Sequence, residues 1–199
     1  MTTYVEIVPA SEGLLPPLCR ECLWWQRVKI PPTGEGRMLR VSWLERVSRE
    51  WGSCGMAAVQ GRDTLGTVQF APVRSLPKAL HLLPDAASPE SALLFCLRLR
   101  RGRPFEEARP LLHRALSSLH ERGTAEVLAL ARAMGSSRAH GSGNIFSLEF
   151  LLANGFQPAG RAGRLEIVRC DLRGLLPVIS DLLWAWRWVR HSAPTPTPI

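Results

Sequence analysis

The chain has no long hydrophobic run: no uncharged apolar stretch approaches the roughly 18 residues that a membrane-spanning helix needs. That excludes an integral membrane helix from the reading. No block of five or more like charges occurs either, which argues against a basic nucleic-acid arm. The first residues, MTTYVEIVPASEG, lack a charged start followed by an apolar run, so no signal peptide is expected. Cysteine is sparse. There are five, an odd number, which suits reduced thiols and a cytoplasmic setting. Cys19-x-x-Cys22 stands without a second such pair, and no His-x₃₋₅-His spacing exists. Half a zinc site, a redox pair and a buried packing element beside Trp24-Trp25 all remain open for it, and no metal site is expected. The five histidines do not cluster; His113 and His120 share a helix face with no serine or aspartate partner in view. Tyrosine is nearly absent, Tyr4 being the only one.

What is present is arginine. The 199 residues carry a net charge of +8 and a pI of about 10.2, and the basic side chains are almost all arginine. Such a balance favours anionic ligands such as phosphates, nucleotide cofactors or nucleic acid; the alternative is a solvated surface. Aromatic and basic residues are not interleaved as single-strand binding platforms require, so no specific nucleic acid is expected. With 46% hydrophobic residues the chain is long enough for one well-buried domain.

Alternation predicts a strand over Thr3–Val8, β-rich runs predict strands over Ser53–Gln60 and Thr64–Phe70, an apolar run predicts a central strand over Ser91–Leu99, and Thr124–Ala131 and Leu165–Cys170 read as strands too. Gly61-Arg62-Asp63 is hairpin punctuation between the second and third. Ser42-Trp-Leu-Glu45 reads as a capping box and predicts a helix over Ser42–Trp51. Further helices are expected over Phe105–Arg122, Asn144–Ala153 and Leu175–Arg190, with irregular stretches at Leu14–Pro32, Ala71–Pro89 and Gly135–Gly143. Residues 1–174 are expected to form the domain. Residues 175–191 should be a Trp-rich amphipathic helix packed on it or on a second copy, with membrane-surface attachment as the less favoured alternative. SAPTPTPI, residues 192–199, should be a disordered tail. Strands and helices alternating in the second half imply a mixed α/β sheet flanked by helices.

Asn144-Ile-Phe-Ser-Leu-Glu-Phe-Leu-Leu-Ala-Asn-Gly-Phe156 resembles the Asn-x-x-Ala-x-x-Leu/Phe-Tyr-x-x-x-Gly-Phe helix of the GNAT superfamily of acyl-CoA-dependent N-acyltransferases. Ser147 stands for the alanine and Leu151 for the tyrosine. Ser88–Leu99 resembles that family's strand before the cofactor loop, His120-Glu-Arg-Gly123 the helix end after it, and Gly66–Pro72 its third strand. The resemblance covers Trp43–Asp171 through several weak motifs in order. It implies a mixed, mostly antiparallel sheet in which Ser91–Leu99 and Thr124–Ala131 are parallel neighbours that diverge at their C-terminal ends.

It also implies a cofactor, acetyl-CoA or another acyl-CoA, and an amine acceptor that cannot be read from the sequence. Leu97 and Leu99 would offer backbone groups to the pantetheine arm, and Asn144 is the motif asparagine. The pyrophosphate loop Arg/Gln-x-x-Gly-x-Gly/Ala aligns with Arg103 first and Ala108 last, with Arg109 following. Glu106 takes the central glycine position and Pro104 removes an amide nearby. RGRPFEEARPLL is therefore read two ways: an eroded phosphate loop helped by Arg98, Arg100, Arg101, Arg103 and Arg109, or a plain helix start whose acids complement the dipole. The family's usual proton donor is the tyrosine that Leu151 replaces. No acid lies within Ser91–Leu99, leaving Glu50 and Glu90 as outside candidates for a base and the catalytic residues unassigned. A weak N-acyltransferase is the expectation; a catalytically silent binding or regulatory module of the same fold is the alternative.

Overall fold

The computed structural model describes residues 1–29, 34–83, 87–103, 107–132 and 145–173. Their strands form one sheet in the order β1(Thr3–Glu6), β2(Gly55–Gln60), β3(Asp63–Pro72), β4(Ala92–Leu99), β5(Glu126–Arg132), β8(Leu165–Asp171), β7(Gln157–Ala162), with β6(Phe146–Ser147) beside β5. The β4–β5 and β5–β6 pairs are parallel; the other neighbours are antiparallel. β2 and β3 close through Gly61-Arg62, with Gly61 at φ 60 supplying the left-handed conformation that such a tight turn requires. At the β2 end, Gly55 lies so close to β3 that an added Cβ would come 2.5 Å from the carbonyl oxygen of Val68. Only glycine fits there.

Each face of the sheet has its own core. On one face α4(Ala108–Glu121) lays down Leu111, Leu112, Ala115, Leu116 and Leu119, a stripe at helical spacing, over Val68, Phe70, Leu94 and Val127. A fully buried leucine of this kind contributes about 1.5–3 kcal/mol. On the other face α2(Gly36–Glu50) packs Trp43, Leu44 and Val47 over Ala57, Ala71, Leu93 and Phe95. The short helices α1(Pro17–Arg20), α3(Pro77–Leu82) and α5(Leu148–Leu152) complete the described elements.

Several boundaries differ from the sequence expectation. Helix α2 starts at Gly36, six residues before the proposed cap, and Ser42 is an exposed residue inside it. The buried positions run Arg40, Trp43, Leu44, Val47, so the inward stripe begins with an arginine that a hydrophobic pattern does not count. In the Asn-Gly-Phe segment the helix begins later than expected. Phe146 and Ser147 pair with β5, and the Ser147 hydroxyl caps α5 by accepting from the Phe150 amide at 3.3 Å. Strand β7, QPAGRA, has no alternating pattern and is held by pairing with β8. Helix α3 lies within what read as a proline-rich connection. The Gly135–Gly143 loop, the Leu175–Arg190 helix and the tail fall outside the described residues.

Candidate functional site: a basic cleft at the end of the fourth strand

β4 and β5 are paired over Ala92↔Val127, Leu93↔Leu128 and Leu94↔Ala129, and no further. Beyond Leu94, the pairing of β3 with β4 steps from Gln69↔Phe95 to Thr67↔Arg98, so β4 carries one extra residue. Cys96 sits there with φ 55, the one described non-glycine residue at positive φ. This is a β-bulge, and it turns β4 away from β5. Ala131 of β5 pairs with Glu166 of β8 on one side and Phe146 of β6 on the other. β6 therefore occupies the edge of β5 that β4 has left. Beyond Leu94, β4 is paired with β3 alone among the described strands.

Just past β4 the chain turns sharply. The Arg100 amide donates to the Leu65 carbonyl at 2.7 Å, the Arg103 amide donates to the Arg100 carbonyl at 3.1 Å, and Gly102 takes φ 84. Positive φ at the third position of such a turn is the reason for glycine in Arg101-Gly-Arg103. A cleft of about 660 Å³ opens here, lined by the 13–17 segment, Arg20, the start of β3 and Leu97 through Arg103. Arg20, Arg98, Arg100, Arg101 and Arg103 face it, against one lining carboxylate, Asp63. Asp63 is tied to Arg100 at 2.8 Å, and Arg103 to Glu107 at 2.7 Å. Arg20 is braced on the carbonyls of Leu15, at 2.9 Å, and Gly13. Arg101 is exposed and has no ion pair among the described residues.

Beneath the cleft's inner wall lies a buried polar cluster. Arg40 of α2 is 1% exposed; it donates to the Gln69 side-chain oxygen and to that of Gln26, whose amide in turn donates to the Cys22 carbonyl at 3.3 Å. Its guanidinium also covers the Trp43 ring, 4.6 Å from the centroid. No carboxylate reaches it among the described residues, and burial lowers its pKa from the ordinary arginine value. Thr67, fully buried, and Arg98 are register partners on β3 and β4; the threonine hydroxyl and Nε of Arg98 have no hydrogen-bond partner.

Burial pushes Cys54 up to about 11 and Cys170 up to about 12, and raises Cys96 and Cys19 as well. Among the described residues no group of three or more His, Cys, Asp or Glu could hold a metal, and no helix is long and apolar enough to cross a membrane.

The structure brings Leu97, Leu99 and Arg103 together on the cleft wall. Ala108 is the buried first residue of α4, and Arg109, next to it, is exposed and does not line the cleft. Asn144 and Glu106 lie outside the described residues. Glu50, at the end of α2, pairs with Arg46, and Glu90, before β4, pairs with Arg74; neither lines the cleft. Leu151, at the position of the family's tyrosine, is fully buried in the core on the α4 face. Arg20, Arg40, Thr67 and Gln69 were not singled out from the sequence. One signal was present: Thr67 and Gln69 alternate with Val68 and Phe70 on a strand too apolar to be a surface one.

No protein-family model matches the sequence, and no curated protein does. Solved structures do. The chain is similar to an N-acetyltransferase from Staphylococcus aureus Mu50, at 13% identity and TM-score 0.55, over 86% of this chain and 99% of that one. It is similar to the PaiA N-acetyltransferase from Thermoplasma acidophilum, solved in complex with coenzyme A, at 14% identity and TM-score 0.54, over 86% and 99%. A third is the ribosomal-protein-S18-alanine N-acetyltransferase from Escherichia coli, at 12% identity and TM-score 0.51, over 86% and 94%. With its mostly antiparallel sheet, its helices on both faces and its parted β4 and β5, the chain has the fold of the GNAT acetyltransferases.

Proposed function

We propose that the cleft binds an acyl-CoA, acetyl-CoA being the simplest, and serves slow transfer of its acyl group to an amine. The carrying observation is that β4 parts from β5 beyond Leu94 and leads directly into the arginine-lined turn, so that along Leu97–Leu99 it pairs with β3 alone among the described strands. An extended amide-bearing arm can pair along the other edge of β4 as a strand would, and its phosphates then meet Arg101, Arg103 and the start of α4. α4 begins without a side-chain cap, since the Glu107 carboxylate is turned to Arg103, so its first amides are not taken by a side chain.

Acyl-CoA would bring the activated thioester carbonyl to the parting of the strands. The chain's own residues bind and orient: the β4 edge fixes the arm, and the 13–17 segment closes the opposite wall. The amine forms its C–N bond as the C–S bond breaks. Its proton has to leave by water, because Asp63 is ion-paired and Leu151 cannot donate one to the departing sulfur. This is catalysis by positioning alone, so turnover is slow. Five free thiols suit a reducing, cytoplasmic setting.

The buried Leu151 favours a second reading, a module of the same fold that binds acyl-CoA without turnover. Native mass spectrometry and calorimetry with acetyl-CoA test the binding common to both. A stoichiometric complex is expected, and no binding at millimolar acetyl-CoA would sink the proposal. Thiol release in the presence of an amine panel then separates slow enzyme from silent binder.

A further inference from the structure

Thr67 and Arg98 are directly paired across β3 and β4, so their side chains stand on one face of the sheet. That face is the α1–α2 side: Gln69, two residues on from Thr67, meets Arg40 of α2, and Arg98 is close enough to Cys19 of α1 to act on its thiol. Both residues line the cleft. The Thr67 hydroxyl is fully buried, and it and Arg98 Nε are left without partners. A buried donor left without an acceptor loses its hydration with nothing in return, so two side by side on a cavity wall are poorly explained by folding alone. Arg40, whose Nε is likewise unpartnered, is fully buried on the same face and adds a cation to that of the half-buried Arg98. No acidic residue among the described ones offsets this pair: Asp63 is held by Arg100, and Glu12 pairs with Arg37 at 3.7 Å. A cavity wall offering a hydroxyl and a guanidinium, with positive charge behind, suits an oxyanion. It repels a free ammonium group.

We propose that the Thr67–Arg98 wall is an anion subsite, and that the acceptor is an amine carrying a carboxylate or phosphate, which this wall holds while the amine faces the β4 edge. The substrate assignment rests on the reading of the cleft as an acyl-CoA-dependent transferase site; the anion subsite does not. The arrangement separates the cleft's arginines into two groups, with Arg98 for the acceptor's anion and Arg101 for the cofactor's phosphates.

The test titrates the full chain by calorimetry with glutarate, inorganic phosphate and uncharged glutaramide, each with and without saturating acetyl-CoA. The anions are expected to bind and glutaramide not to, with acetyl-CoA leaving the anion affinity in place. Arg98→Gln should weaken anion binding on the order of tenfold, the worth of one charged hydrogen bond, and leave acetyl-CoA binding unchanged. Arg101→Gln should do the reverse. Thr67→Val, nearly the same shape and lacking only an unpartnered hydroxyl, should keep the fold and still weaken the anions. Absence of anion selectivity, or equal loss in the Arg98 and Arg101 variants, overturns the subsite in favour of diffuse surface charge. Competition between the anions and acetyl-CoA overturns the acceptor assignment, since the oxyanion would then be the cofactor's own phosphate. Selective anion binding without any acetyl-CoA binding sinks the transferase reading and leaves the subsite standing.

Discussion

At the scale of single residues, the arginines of the turn are not equivalent. Arg103 is already paired with Glu107 at 2.7 Å, whereas Arg101 has no such partner among the described residues. Replacing Arg101 by alanine removes one phosphate contact. Replacing Arg103 does that and also frees a carboxylate beside the phosphates, where like charges about 4 Å apart cost roughly 1 kcal/mol in water and more when part-buried. Arg103→Ala should therefore weaken acetyl-CoA binding more than Arg101→Ala does, about tenfold against a few-fold, as read by calorimetry at low salt. Equal losses would show that the Glu107 carboxylate turns away to solvent. Leu151 is the other decisive residue. A fully buried leucine within the core cannot be reached by solvent or thiolate, so the chemistry that a tyrosine would supply is missing by position as well as by type.

Among elements, α4 and α5 are clipped together by side chains. His113 Nε2 donates to Asn154 Oδ1 at 2.8 Å, and Asn154 Nδ2 donates to the Phe150 carbonyl at 2.6 Å. Burial, opposed by that hydrogen bond and aided by the Arg109 charge, holds the His113 pKa below its ordinary 6.5. The unfolded chain then binds more protons than the folded one as pH falls through 6.5, so stability is lost on acidification and regained above it. Urea midpoints measured at about pH 7.5 and pH 5.5 should separate more in the parent than in His113→Gln. An equal separation would place the titration elsewhere.

The same elements show how far sequence carries. Ser91–Leu99 and Thr124–Ala131 were legible as strands, being mostly apolar runs around an amphipathic helix; that they run parallel and diverge was what the family resemblance implied. β7 was not legible: its residues Pro158, Ala159 and Gly160 carry no strand preference, and pairing with β8 imposes the conformation. The start of α2 was missed because Arg40 is buried by its partners, Gln69 and Gln26, which lie far off in sequence. The cleft's basic character was visible as arginines near the loop. Its inner wall was not, since only the β3–β4 register puts Thr67 beside Arg98.

For the molecule as a whole, the chain's net charge of +8 has one concentrated outlet in the described structure, the cleft at the end of β4. The same parting of strands also sets how the protein comes apart. β1 to β4 form one half-sheet and β5, β8 and β7 another, and three residue pairs join them. Both cores cross this seam, so the halves are joined by side chains more than by backbone, and the seam is where a partial opening of the sheet is expected to start. In native-state hydrogen exchange the amides of β5 and β8 should report one opening free energy and those of β2 and β3 another, with acetyl-CoA raising both toward a common value. The parting of β4 from β5 is thus also the weakest join in the sheet, and a ligand laid between the two strands would act as a mechanical weld between its halves.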